Sequence, residues 1–439
     1  MSLRRLVPLA ALVVLASFAS GARADLLEYV KKPDPAFAWK VQKKTELPEG
    51  TIYDLHLVSQ VWQGITWEHQ ILVILPKDVK PTATMFLWNQ GGKPSATSAA
   101  FGMDLAKKMN APVAMLFGIP NQPLFDGKKE DALIAETFVQ YLKTKDASWP
   151  LLFPMTKSLV RAMDALQAFA KQEWKINLTH FVVSGGSKRG WTAWLTAAAD
   201  PRVKALIPCV IDTLNMQAQL PHQLRSYGKY SDMIADYTKR GLVPLPDTDD
   251  ARKLWGMVDP WIYRDRIKQP KMIINGTNDP YWTQDALNLY WDDLKGDKWI
   301  LYVPNAGHNL VQKKDGVNLI PDMTRAGGTI AAFARHQIHD IPMPKLTWRH
   351  EGDGDKLTLK VQSDTAPKAA RLWSTMGSTR DFRQSKWTDR ALDVKDKSIS
   401  AEISTPSEGY VVFFAELEYE IDGLRYYLST QLRIAGKDK

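Results

Sequence analysis

Between residues 51 and 76 apolar and polar side chains alternate, as in Leu55-x-Leu57 and Ile71-x-Val73-x-Leu75. A period of two turns one face of each strand toward a core, so this stretch predicts an antiparallel meander that ends at Pro76. Downstream the pattern changes. Short, mostly apolar runs at 83–89, 113–117, 181–183, 203–211, 271–275 and 299–303 predict strands buried on both faces. Between them, helical spacing predicts helices over 98–109, 131–143, 155–173, 191–199 and 323–336, with Val160, Met163, Leu166 and Phe169 on one face of the third and a weak point at Gly327-Gly328 in the last. The run Trp149 to Pro154 separates two helices, and Asp200-Pro201 stops a third. Strands alternating with helices build a mostly parallel sheet covered on both faces, with the opening meander as its antiparallel edge. Residues 25–50 carry several prolines and no clear period, and predict a segment that wraps the surface.

Two stretches depart from the alternation. Residues 212–269 contain His222, several tyrosines, Trp255 and Trp261, and predict an insertion over the strand ends, a cap or lid. After Pro342-Met343-Pro344 strand alternation returns without helices, at 356–361, 410–418 and 425–434. The chain thus predicts a main α/β domain over 25–342, interrupted by the cap, and a separate β-sandwich over 345–436.

The first residues are not part of that fold. Arg4 and Arg5 precede a short apolar run from Leu6 to Phe18, and Ala22-Arg23-Ala24 fits the small-x-small rule for cleavage. The reading is a secretory leader, residues 1–24, removed after Ala24 to give a periplasmic or secreted protein. The alternative, a membrane anchor, needs about 20 apolar residues, more than the run supplies, and no other stretch supplies a transmembrane segment. The chain of 439 residues has a formal charge of +9, and loss of Arg4, Arg5 and Arg23 with the leader leaves +6. The basic residues are scattered among acids, which argues against a nucleic-acid partner. Cys209 is the single cysteine, set in the apolar run 205–211, so disulfides do not staple the fold and the thiol reads as structural.

Three segments carry chemistry, each following a predicted strand: Ser187 in Gly-Gly-Ser-Lys-Arg-Gly, Asp279 in Asn-Gly-Thr-Asn-Asp, and His308 in Asn-Ala-Gly-His. A serine hydroxyl becomes nucleophilic when a base takes its proton and a third group orients the base. Nucleophile, acid and base in that chain order are the order of the α/β-hydrolase fold. Gly185 stands two before the serine, as a tight strand-to-helix turn requires, but the second small residue is Gly190, three after it rather than two. Asp279 also suits an N-cap before Pro280, and Asp212 is the alternative acid. The oxyanion donors expected are the amide of Lys188 and one from Gln90-Gly91, with an ordinary turn as the other reading of the glycines. Trp88, Tyr281 and Trp282, with Trp255 and Trp261 of the cap, are candidates to line a substrate pocket. Lys188 and Arg189 either bind a substrate anion or pair with nearby acids. His336-x-x-His339-Asp340 has metal-ligand residue types but sits at a helix end, and no phosphate-loop or dinucleotide motif is present, so no metal and no cofactor is expected.

The segment from Gly185 to Trp191 resembles the PhoPQ-activated pathogenicity-related proteins, a family that includes autocrine proliferation repressor proteins. Trp149 to Lys157, Tyr263-Arg264-Asp265-Arg266 and Pro270 to Asn275 match the same pattern. The displaced glycine alone is also similar to the elbow of glucuronoyl esterases. The family resemblance implies a secreted α/β-hydrolase fold with a C-terminal β domain, and it implies Ser187, Asp279 and His308 as the triad. It implies no substrate. The function expected is a serine hydrolase acting on a small-molecule ester or peptide. The alternatives are a non-catalytic binding or signalling protein on the same scaffold and a basic protein that binds polyanions.

The mature chain is expected to begin at Asp25. Sequencing the N-terminus of protein recovered outside the cytoplasm checks this, and a chain that still begins at Met1 would make the segment an anchor.

Overall fold

In the computed structural model a single sheet carries the molecule from its N-terminal edge into its C-terminal region. The structure describes residues 26–312, 323–352 and 354–437, so the leader of residues 1–24 lies outside the described residues. The N-terminal part of the sheet contains β1 (Ala38–Leu47), β2 (Gly50–Trp62), β3 (Ile65–Pro76), β4 (Thr84–Asn89), β5 (Val113–Leu116), β6 (His180–Gly186), β7 (Val203–Cys209), β8 (Lys271–Gly276) and β9 (Lys298–Val303). Their spatial order is β1-β2-β3-β5-β4-β6-β7-β8-β9. From β5 to β9 neighbours are parallel, and β1, β2 and β3 are antiparallel. The crossing of β4 and β5, followed by an unbroken parallel run, is the α/β-hydrolase strand order. The inner strands are buried along their length, as mostly apolar runs require.

Helices cover both faces: α1 (Leu26–Lys31), α2 (Ala96–Met109), α3 (Glu130–Thr144), α4 (Leu152–Phe169), α5 (Lys188–Ala199), the cap helices α6 (Met216–Tyr227), α7 (Ala235–Thr238) and α8 (Asp249–Val258), and α9 (Thr324–Ile338). Residues of α3, α4, α5 and the cap share one core, and those of α2 and α9 share the other. Local chemistry sets several boundaries. Ser95 and Ser98 form a capping box at the start of α2, and Asn110 ends it in the left-handed conformation. Pro154 falls in the first turn of α4, where its missing N–H has no intrahelical acceptor to lose. No helix among the described residues is long and apolar enough to cross a membrane.

Residues 25–50 do more than wrap the surface. They form α1 and β1, an edge strand whose side chains are mostly exposed, so its sequence carries no apolar period. The cap contains helices the sequence hid, because α6 is polar and holds Pro221.

The C-terminal region contains β10 (Leu346–Glu351), β11 (Lys356–Ser363), β12 (Ala369–Gly377), β13 (Thr388–Leu392), β14 (Ser398–Ser404), β15 (Gly409–Ile421), β16 (Leu424–Ser429) and β17 (Arg433–Lys437). The run expected at 425–434 is therefore two strands, parted after Ser429. The small sheet β10-β11-β14 packs against the larger one as a sandwich, but the larger one does not stand apart: β16 pairs β9 antiparallel at Ser429 and Ile300, making one 14-stranded sheet. Along β15, Val412 and Phe414 enter the core shared with α4 and the cap, while Val411, Phe413, Ala415 and Leu417 enter the core shared with α9 and the small sheet. Gly328 explains the weak point in α9, since a Cβ there would lie 2.7 Å from the Arg425 carbonyl of β16.

One buried ion pair ties α9 to β15. Arg325 grips Glu416 through Nε at 2.8 Å and Nη2 at 3.1 Å, and the indole of Trp373 donates to the same carboxylate at 3.2 Å. Glu416 is buried, and burial raises its pKa against the pull of Arg325. Removing one partner of such a pair leaves a charge with nothing to offset its desolvation. Arg325→Met is expected to destabilise the protein by roughly 3 kcal/mol, with much of the loss recovered when Glu416→Gln is added. Urea denaturation of the two variants checks this, and additive losses would refute it.

Candidate active site

β6 ends at Gly186, α5 begins at Lys188, and Ser187 sits between them with φ +57° and ψ −127°. Side chains with a Cβ avoid this region, at a cost of about 1–3 kcal/mol. The surroundings hold it: the Ser187 amide donates to the Cys209 carbonyl of β7 at 2.9 Å. A Cβ on Gly185 would lie 2.6 Å from Asn89 Nδ2 and 2.8 Å from the Arg189 main chain, and one on Gly190 would lie 2.7 Å from Ile211 and 2.9 Å from the Gly185 carbonyl. The displaced glycine thus has a physical reason. At the third position after the serine a Cβ would run into the Gly185 carbonyl of β6, whereas the Cβ of Arg189, at the second, is accommodated because Gly185 opposite it has none. Arg189, in the second position, points elsewhere, and its guanidinium fills the space a Cβ on Gly91 would occupy, with Nη2 2.2 Å from that point.

Asp279 and His308 come from the loops after β8 and β9. His308 Nδ1 and Asp279 Oδ2 are 2.7 Å apart. Asp279 Oδ1 accepts from the Tyr281 amide at 2.9 Å, so the carboxylate caps its own turn, not a helix, and orients the imidazole as well. The Tyr281 ring lies against His308 with centroids 4.2 Å apart. His308 Nε2 is buried without a hydrogen-bond partner among the described residues. Asp212, the alternative acid, is engaged by Tyr290 and by Asn275 at 2.8 Å. Burial pushes its pKa up to about 7, against those two donors.

Ser187 and His308 line one cavity of about 40 Å³, mostly apolar, with Asp131, Lys188, Tyr281 and Trp282 in its wall. Met216, Leu220 and Trp255 of the 212–269 insertion also line it, and these three line a second groove of about 380 Å³, where Trp261 lies. Trp88 is not at the cavity. Alternation along β4 sends it to the other face of the sheet, against Phe101 of α2 with ring centroids 5.9 Å apart. Gln90 needs correcting as an oxyanion donor, because its amide already donates to the Leu116 carbonyl at 2.9 Å, continuing the pairing of β4 with β5. The Lys188 amide opens α5, where no intrahelical acceptor exists.

Both cations beside Ser187 pair with acids at the start of α3. Lys188 Nζ is 2.6 Å from Asp131, and Arg189 forks onto Glu130 at 2.6 and 2.7 Å. Burial works against ionising Glu130, but Arg189, together with Gln122 and Lys188, outweighs it and holds the carboxyl below its usual range. Tyr237 and Tyr281 also donate to Asp131, and burial raises both phenols so that they stay protonated. In the sequence Asp131 stood only as the start of a helix. Its only signal was an acidic pair, Glu130-Asp131, to match the basic pair Lys188-Arg189. Cys209 is buried, and burial pushes its thiol up to about 12, consistent with a structural role. His336 and His339 face the main-chain carbonyls of Ile341 and Met109, and among the described residues no three His, Cys, Asp or Glu group as metal ligands.

The sequence profile of the PhoPQ-activated pathogenicity-related proteins matches residues 26–383. Autocrine proliferation repressor protein A of Dictyostelium discoideum is 31% identical over 447 residues, covering 93% of this chain and 88% of that one. Acetyl xylan esterase 1 from Thermoanaerobacterium sp. JW/SL YS485 superposes with a TM-score of 0.48 at 15% identity, over 66% of this chain and 87% of that one. An acetyl xylan esterase from Paenibacillus sp. R4 gives 0.46 at 14% identity, over 64% and 85%.

The packing at the elbow distinguishes a glycine that close contact requires, Gly190, from one that it does not, Gly186. Gly190→Ala is expected to cost roughly 1–3 kcal/mol through overpacking. Gly186→Ala, whose Cβ would meet nothing nearer than Val210 at 4.0 Å, leaves stability nearly unchanged. Thermal unfolding of both variants checks this, and equal shifts would refute it.

Proposed function

We propose that this chain, which belongs to the PhoPQ-activated pathogenicity-related protein family, is a secreted or periplasmic serine hydrolase that cleaves a small-molecule ester or peptide bond through an acyl-enzyme. The observation that carries the reading is the 2.7 Å bond from His308 Nδ1 to Asp279, with His308 Nε2 unpartnered among the described residues and Ser187 on the same cavity. In this reading Ser187 Oγ attacks the carbonyl carbon while His308 Nε2 takes its proton. Asp279 holds the imidazole in the tautomer that accepts at Nε2 and offsets the imidazolium charge. The carbonyl oxygen becomes an oxyanion facing the Lys188 amide and the start of α5, a donor that contributes about 3 kcal/mol to the transition state. Collapse expels the alcohol or amine, which leaves with the proton from His308. Water then attacks the acyl-serine by the reverse sequence and releases the acid.

The mostly apolar cavity wall favours an uncharged group next to the scissile bond, and the paired cations favour no anion there. A second reading draws on the Dictyostelium relative, whose name describes repression of proliferation, a role a non-catalytic signalling protein could fill.

A fluorophosphonate probe on the purified mature protein separates the two. Wild type is expected to label, Ser187→Ala not at all, and His308→Ala at a rate lower by roughly 1000-fold or more. A folded wild type that does not label would leave the signalling reading standing.

A further inference from the structure

The C-terminal region reaches the candidate active site through one loop. Residues 378–387 join β12 to β13, and they end against the loops that carry the acid and the base. Asn278, immediately before Asp279, donates its side-chain amide to the carbonyls of Ser385 at 2.7 Å and Arg383 at 3.2 Å. Asn305, three residues before His308, forms a two-way pair with Trp387: its Nδ2 donates to the Trp387 carbonyl at 2.9 Å, and the Trp387 amide donates to its Oδ1 at 2.8 Å.

The two asparagines are also joined to each other. Thr277 donates its hydroxyl to Asn278 Oδ1 at 2.9 Å and accepts from the Asn305 amide at the same distance. The Asn278 amide in turn donates to the Ala306 carbonyl at 2.9 Å. The loop that receives these bonds is itself anchored. Phe382 and Trp387 are buried in the core shared with Trp282 and Phe414. Arg380 pairs with Asp285 at 2.9 Å, and Asp285 holds His222 of the cap at 2.7 Å. The Arg383 guanidinium lies over the ring of Tyr227, 3.8 Å from its centroid, and the Tyr227 hydroxyl donates to the Trp282 carbonyl at 2.8 Å.

We propose that the 378–387 loop is a positioning element for the triad, with Asn278 and Asn305 as positioning residues that set Asp279 and His308 in register with Ser187. The C-terminal region is then a working part of the active site and not an appended binding module. This inference rests on the serine-hydrolase reading above. Asn278 and Asn305 touch neither the reacting atoms nor the cavity wall. They act through the loops, and displacements of about 1 Å in such loops can cost roughly 100-fold in rate.

The test compares Asn278→Ala and Asn305→Ala with Asn288→Ala. Asn288 also binds the C-terminal region through its side-chain amide, to the Leu432 carbonyl at 2.8 Å and from Gln431 at 2.9 Å, but it sits in the separate turn Ala286–Leu289, outside the turns at 277–281 and 305–308 that carry Asp279 and His308. It is the matched structural control. Two readouts are taken on the full mature chain, with melting temperature recorded alongside. One is turnover of p-nitrophenyl acetate. The other is the low-field proton resonance of the His308–Asp279 hydrogen bond, which needs no activity. The expected result is a fall in kcat of about tenfold or more with KM little changed, and loss or broadening of the low-field signal, in Asn278→Ala and Asn305→Ala but not in Asn288→Ala. Asn278→Gln, which keeps the donor, is expected to restore part of the signal. If all three alanine variants behave alike at similar melting temperatures, the loop is only structural and the proposal falls. If wild type neither turns over nor labels with fluorophosphonate, the hydrolase reading falls, and the low-field signal still decides whether the loop positions the acid and base.

Discussion

The structure turns on a backbone conformation that a serine does not adopt by itself. At φ +57° Ser187 is strained, and the strain persists because everything around it is too tightly placed to let it relax. β7 accepts its amide, Gly185 and Gly190 let β6 and α5 close to contact distance, and Arg189 is drawn outward to Glu130. Each of these depends on a parallel sheet rigid enough to hold three strand ends in register. The long apolar strands and the two cores on either face supply that rigidity, so the fold and the elbow are one mechanical problem.

The same logic extends to Asp279 and His308. Loops after β8 and β9 would be free to move if only their own strands held them. Here the sheet continues past β9 into β16, and β15 is buried on both sides, so the C-terminal strands form a wall next to those loops. Burial on both faces is what distinguishes β15 from a strand of a tethered module. Its residues belong to cores that also contain the cap on one side and α9 on the other. Pulling the C-terminal region away would expose both cores at once, so the two regions are expected to unfold as one cooperative unit.

How far the sequence discloses this can be followed residue by residue. The inner strands were legible because strands buried on both faces are mostly apolar, and Ser187, Asp279 and His308 stood out as candidates because each follows one of them. β1 was not, because an edge strand with exposed side chains leaves no period to read. α6 was not, because its polar composition and Pro221 look like a loop until the cap packs over the sheet. Trp88 was misplaced by one step of strand parity, which residue type does not reveal. The Gln90 amide was misjudged because whether an N–H is already engaged is a matter of register between β4 and β5. The joining of β16 to β9 left no mark either, since one antiparallel pair between distant strands has no sequence pattern of its own.

The charges around Ser187 show why local sequence and site electrostatics can disagree. Lys188-Arg189 next to a nucleophile reads as a positive site. In the folded protein Asp131 and Glu130 neutralise both cations, and two protonated phenols complete the coordination of Asp131. Four charges of balanced sign, partly buried at contact distance, largely offset one another. What remains near Ser187 is the main chain: the opening amides of α5 have no intrahelical acceptors, and the helix directs its positive end at that point. A carbonyl oxygen bound there would therefore meet oriented N–H groups and not mobile side-chain cations. The ion pairs have a different task. They fasten α5 to α3 across the elbow, so that the amides stay aimed where the helix start puts them.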